Sequence, residues 1–175
     1  MRVLLITALL LAISFTACIT LKSDKSELIP CSSNVCKISI EDLPNNMAIL
    51  ENFDLSYFSS YINFLKINSC CSAQGLIAKY SIVNGSIKID NVCYYSVFIF
   101  TDKEIAERKF KSIYKLYSES GLNLENFGEE FEVKIGSKRL KFVKFINSMI
   151  ILISENEEMI NNVKKILIKK LTTKY

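Results

Sequence analysis

The chain has 175 residues, half of them hydrophobic and 23% charged, which suits one domain with a packed core and argues against disorder. Its net charge of +4 is spread along the chain and interrupted by acidic stretches such as "GEEFE", so it lacks the clustered basic face of a nucleic-acid binder. It contains no histidine, which excludes a Ser-His-Asp or Cys-His catalytic arrangement and any zinc site that includes histidine.

The N-terminus reads as an export signal. Arg2 supplies a positive start, Val3 to Phe15 form an apolar run, and Thr16-Ala17 are small, the layout of a signal peptide over residues 1–17. The run is shorter than the roughly 20 residues of a membrane-spanning helix, although extending it to Leu21 makes a marginal span. The stretch "FTAC", ending at Cys18, resembles the lipobox of bacterial-type lipoproteins, with Phe15 where leucine is usual. The resemblance implies cleavage before Cys18 and a diacylglycerol group on its thiol. Two acyl chains, at about 0.8 kcal/mol per buried methylene, would hold a small domain at the bilayer. A retained anchor and a released chain are the other fates open to the same residues. Residues 18–30, polar after the cysteine and ending on Pro30, read as a membrane-proximal tether. This places the protein at the cell membrane, facing outside the cytoplasm.

Residues 31–175 read as a single α+β domain. "FDLSYFSSYINFLKI" places Leu55, Phe58, Ile62 and Leu65 at helical spacing, with a Ser and Tyr content that also suits a strand, and its Tyr57, Phe58, Tyr61 and Phe64 form an aromatic stripe that suits the core before the lining of a pocket. The segments "GLIAKYSIV", "NVCYYSVFIFT", "FEVKI", "RLKFVKFI" and "MIILIS" are rich in β-branched and aromatic residues and read as strands. Asn84-Gly85 signals a type I′ hairpin, and Gly136-Ser137 and Asn147-Ser148 mark two further tight turns, so the sheet is mostly antiparallel. Capping boxes at Thr101–Glu104 and Ser154–Glu157 open two helices. The first gathers Ile105, Ala106, Phe110, Ile113 and Tyr117 on one face, and the second Ile160, Val163, Leu167 and Leu171. Two ββα units, near 76–119 and 129–172, form an approximate repeat with both helices packed on one face of the sheet. Because "VCYYSVFIFT" and "MIILIS" are apolar on both parities, the other face then requires residues 53–67, a partner or a ligand. In that order of strands and helices the domain is similar to small secreted α+β domains of the PsbP and Mog1-like kind. That likeness implies a binding or assembly-assisting role rather than catalysis.

Beyond Cys18, the cysteines Cys31, Cys36, Cys70, Cys71 and Cys93 lie in the exported part, where disulfides persist. An odd number leaves at least one thiol over. Cys31 with Cys36, and Cys70 or Cys71 with Cys93, are the candidate pairs. The same Cys70, Cys71 and Cys93 are candidates for a thiolate site for a soft metal or for redox work, without a CxxC to strengthen the signal. "NGS" at Asn84 matches the glycosylation acceptor, though the turn alone accounts for Asn84 and Gly85. The carboxylates Asp102, Glu129 and Glu130 would have to carry any catalysis, and a helix start and a strand edge explain them as well. The sequence therefore points to an exported, membrane-anchored, non-enzymatic protein without a cofactor. Its partners are the membrane, through the N-terminal lipid or anchor, and a protein or a second copy of the chain through the sheet; nucleic acid is not among them.

Overall fold

The computed structural model describes residues 37–50, 64–65, 67–120, 122, 124–125 and 128–173. In chain order a single 3-10 turn, Ile40–Asp42, is followed by β1 (Met47–Ile49), β2 (Cys71–Val83), β3 (Ser86–Ile99) and α1 (Lys103–Glu119). Then come β4 (Leu124–Glu125), β5 (Glu130–Ile135), β6 (Lys138–Phe145), β7 (Ser148–Ser154) and α2 (Glu157–Thr172). The strands form one antiparallel sheet in the order β1-β2-β3-β7-β6-β5-β4. The fold is α+β, and all five strands read from the sequence are present.

At the centre, Tyr94–Ile99 of β3 pairs with Ser148–Ile153 of β7. Alternate residues of β7 point to opposite faces, and both sets are buried. Ile150 and Leu152 join Val97, Tyr95 and the buried stripe of α2, namely Met159, Ile160, Val163, Leu167 and Leu171. Met149, Ile151 and Ile153 join Phe98, Phe131, Phe142 and the stripe of α1, namely Ala106, Phe110, Ile113 and Tyr117. The helices thus lie on opposite faces, where the sequence pattern led us to expect both on one. The reason is the strand parity: two apolar faces need two covers, and the chain supplies one helix to each. The ββα order repeats, but a two-fold axis normal to the sheet cannot relate units whose helices are on opposite sides.

The caps sit slightly later than the sequence suggested. Asp102, not Thr101, caps α1 by accepting from the Ile105 N–H at 2.7 Å, and Asn156, not Ser154, caps α2 by accepting from Met159 N–H at 2.9 Å. A carboxylate or amide side chain can reach the free donors of the first turn as a hydroxyl does. Ser154 instead donates to the Val92 carbonyl at 2.6 Å, which ties the end of β7 to β3. The last turn is centred on Ile146-Asn147 rather than Asn147-Ser148. Ile146 is at φ 52°, a conformation that costs an L-residue roughly 1–2 kcal/mol. Asn147 offsets it with a two-way bond to Phe100, donating from Nδ2 at 2.9 Å and accepting from the Phe100 N–H at 2.9 Å.

Gly75 faces Tyr95 across the β2–β3 ladder, and the tyrosine ring lies over it. A Cβ at position 75 would stand 2.5 Å from the ring Cε1 and 2.8 Å from the hydroxyl. That buried hydroxyl accepts from the Ile38 N–H at 3.2 Å, anchoring the start of the described chain. Gly75→Ala should therefore lower stability by about 1–3 kcal/mol through overpacking. Urea denaturation followed by circular dichroism measures the change, and an unchanged midpoint would contradict the ring's placement.

Candidate functional site

Cys18, Cys31 and Cys36 lie outside the described residues, as do residues 51–63 with Leu55, Tyr57, Phe58, Tyr61 and Ile62. Of the rest of that segment, Leu65 is buried in the core under α1 and Phe64 is exposed. Among the described residues no helix is long and apolar enough to cross a membrane.

The three described cysteines do not converge. Cys71 pairs with Ile99, whereas Cys93 pairs with Ile77, so the two thiols stand on neighbouring strands about 20 Å apart. Cys70 immediately precedes β2 and shares that distance, and all three are free of disulfides. The expected bridge from Cys70 or Cys71 to Cys93 is corrected by the register, which a short separation in sequence did not determine. The same distance removes the shared thiolate site, and among the described residues no group of three histidine, cysteine or acidic side chains is placed to hold a metal. Burial pushes the Cys93 thiol up to about 12, against 9.0 for an ordinary thiol. Native-state alkylation at mildly alkaline pH should therefore modify the partly exposed Cys70 well ahead of the buried Cys93. Peptide mapping after a timed iodoacetamide pulse reads the ratio, and comparable labelling of both would contradict the buried position of Cys93.

Two of the three candidate carboxylates, Asp102 and Glu130, have structural partners. Asp102 caps α1, and Glu129 is exposed. Glu130 belongs to an ionic group between β5, β6 and α2, accepting from Lys164 at 2.8 Å and lying 3.7 Å from Lys141. Beside it the buried Glu132 binds Arg139 at 2.6 Å, and Arg139 also reaches Glu157 at 3.3 Å. Glu130 and Glu132 do make a pair of carboxylates on one face, but three basic side chains hold them. Partial burial works against the Glu130 anion, yet the Lys164 hydrogen bond and the charges of Lys164 and Lys141 outweigh it and hold its pKa below the ordinary 4.5. A lowered folded-state value means that this group's stabilisation is complete above the unfolded pKa and is lost as the pH falls through the folded one. Glu130→Gln should lower the urea midpoint at neutral pH and flatten its decline below pH 4.5; parallel acid limbs for the two proteins would refute the assignment. Ser96 and Ser148 are buried without side-chain hydrogen bonds among the described residues, on opposite faces of the sheet, and cannot act together.

The feature left over is the β2–β3 hairpin. β7 accompanies β3 only as far as Tyr94, and β1 accompanies β2 from Ile77 to Lys79, so the two arms run on past their neighbours as a ribbon. Its tip is Asn84 at φ 52° and Gly85 at φ 76°, the left-handed pair of a type I′ turn. The glycosylation candidate Asn84 is thus an exposed turn residue. At the root a bulge leaves Asp90 unpaired, between Lys79↔Asn91 and Tyr80↔Ile89, and Asp90 accepts from Ser81 Oγ at 3.0 Å. The pairs Tyr80↔Ile89 and Ile82↔Ile87 place four large side chains on one face of the ribbon. Ile82 is 70% and Ile87 73% exposed, and Ile89 and Val83 are exposed as well. A notch of about 240 Å³ opens where β7 ends beside the root, lined in part by Asp90, Tyr94, Lys138, Ser154 and Glu155. Sequence reading recognised the hairpin but not its exposure. The available signal was length: β2 and β3 have 13 and 14 residues and β7 only 7, so part of the hairpin had to go without a neighbour.

The ribbon root at Lys79 and the turn at Asp42 are at opposite ends of α2, and Tyr80 of the ribbon donates to the Asn45 carbonyl at 2.6 Å. Lys79, at the ribbon root, binds Glu158 in the first turn at 3.2 Å, and Lys170 in the last turn binds Asp42 in the turn after Lys37. The helix rise and the ribbon length separate Lys169 from the tip by roughly 30 Å. No family model, curated protein or solved structure matches the chain.

Proposed function

We propose that the chain is an exported protein held at the outer face of the cell membrane by its N-terminus, and that it serves as a binding module rather than an enzyme. The observation that carries this reading is the exposed apolar ribbon, at the end of α2 remote from Lys37, the first described residue. Contiguous large aliphatic side chains held out of the core on a separate ribbon serve association rather than folding. A protein partner fits better than a small molecule, because the ribbon face is open and the adjoining notch is small. The signal-like residues 1–17 and the lipobox-like "FTAC" support anchoring through Cys18.

Two measurements test the two halves. The intact mass of protein extracted from the membranes of the producing cell should match residues 18–175 plus lipid, and Cys18→Ala should move the protein out of the membrane fraction. A full-length mass without lipid would end the lipoprotein reading in favour of a retained anchor. For the ribbon, Ile82→Ser with Ile87→Ser should leave the melting temperature within a few degrees, since surface substitutions cost about 0.5 kcal/mol or less. The same variant should lose the crosslinks that a photoreactive group at Val83 forms on intact cells. No crosslink from the wild-type sequence would refute the binding role of the ribbon, and a crosslink to a second copy would identify the partner as the chain itself.

A further inference from the structure

We infer that the surface around the C-terminal half of α2 and the turn after Lys37 docks onto an anionic bilayer, fixing the orientation of the domain; the inference rests on the anchoring proposed above. The first support is position. The chain from Cys18 enters the described residues at Lys37, so in an anchored protein the connection to the membrane arrives at this surface. The second is charge. The helix runs from an acidic first turn, Glu157 and Glu158, to a basic last turn, Lys169 and Lys170. Lys164 and Lys170 are engaged by Glu130 and Asp42, whereas Lys165 and Lys169 are exposed, as is Lys37. Partial burial disfavours the Asp42 anion, but the Lys170 hydrogen bond and those from Ser39 hold its pKa below the ordinary value, so the pair stays ionised and mutually neutralised. Among the described residues, three exposed lysines then stand against the exposed carboxylate of Glu41 on this surface.

The third support is an apolar contact in the right place. Ile40, in the 3-10 turn between Lys37 and Asp42, is 74% exposed, the most exposed large hydrophobic residue described. Lys170 lines two adjoining depressions, one bounded by Lys37 and Ile40 and the other by Lys165 and Lys169, so these side chains share one continuous surface. An isoleucine beside Lys37 and Lys170, with Lys165 and Lys169 on the adjoining depression, matches the interfacial region of a membrane, where the apolar group enters the headgroup boundary and the ammonium groups pair with phosphates. In the docked orientation the ribbon is at the other end of α2 and remains free for its partner.

The test uses the absence of tryptophan from the sequence. Ile40→Trp places a unique fluorophore at the proposed contact, and Ile82→Trp places one on the ribbon. The full chain as purified from membranes is reconstituted with phosphatidylcholine vesicles, with and without phosphatidylglycerol, and recovered by flotation. The expected result is flotation with both compositions. The Ile40→Trp emission should shift to the blue and be quenched by brominated lipid only when phosphatidylglycerol is present, and high salt should reverse this. Lys165→Glu and Lys169→Glu should each reduce the docking equilibrium about fivefold or more. Flotation with an unmoved Ile40→Trp spectrum on both compositions overturns the docking and leaves the anchoring intact. Failure to float on phosphatidylcholine overturns the anchoring; an Ile40→Trp shift on added phosphatidylglycerol vesicles would then still support the docking surface. A shift of Ile82→Trp in place of Ile40→Trp overturns the orientation.

Discussion

The ladder between β3 and β7 governs the rest of the molecule. Residues 94–99 and 148–153 pair at the centre of the sheet, and nearly every side chain there is large and apolar on both faces. Fully burying one such side chain is worth about 1.5–3 kcal/mol, so leaving either face to water would cost more than a small domain's whole margin of stability. Each strand runs directly into the helix that helps to cover it or its neighbour. α1 leaves the end of β3 and returns along one face, and α2 leaves the end of β7 and returns along the other. The two covers differ in kind. Under α1 the packing is aromatic, with Phe131 and Phe142 stacked at 4.6 Å and Phe110 and Tyr117 against them. Under α2 it is aliphatic over β2, β3 and β7 and becomes ionic over β5 and β6, where Glu130, Glu132, Arg139 and Lys141 take the place of further apolar residues.

That change explains why the two buried-looking carboxylates are poor candidates for chemistry. A carboxylate pair becomes a proton-transfer device when like charge or desolvation drives one member to hold its proton. Here Arg139, Lys141 and Lys164 supply compensating charge at each oxygen, and Glu130 is driven toward ionisation. The ionic group ties α2 to the β5–β6 edge, because shifting the helix would take Lys164 away from Glu130 and Glu157 away from Arg139.

Much of this architecture could be read from the chain. Strands with β-branched and aromatic runs, the Asn84-Gly85 turn and the two helix stripes are local signals, set by neighbours one to four residues away, and they survive in the structure. The face each helix occupies is not local. It depends on which strand the returning chain crosses, and the spacing of Phe110 or Leu167 is the same whichever face is covered. The cysteine pairing failed for a related reason. Proximity of Cys70, Cys71 and Cys93 in sequence says nothing about register, and the Gly85-centred hairpin folds Cys93 back to Ile77, not to Cys71. The ion pair of Asp42 with Lys170 spans 128 positions and carries no sequence signal at all. The exposed ribbon is the intermediate case: its alternation of Tyr80, Ile82, Ile87 and Ile89 looks like a core strand until the strand lengths are compared.

An exposed apolar hairpin is also a hazard, since open strand edges pair with one another. The sequence limits the hazard with features of the ribbon itself. Lys88 stands opposite Ser81 on the face away from the isoleucines, the bulge at Asp90 twists the edge where β7 stops, and the polar Asn84-Gly85-Ser86 tip closes the end. Orientation at a membrane would limit it further. Docked through Lys37, Lys165 and Lys169, the domain places its ribbon tip roughly 30 Å from those lysines, several times the Debye length of about 8 Å at physiological salt. At that separation the bilayer charge neither holds the ribbon nor repels what approaches it. On the proposed reading the ribbon would then respond to a partner's shape and apolar area, while the lysines would respond to lipid composition.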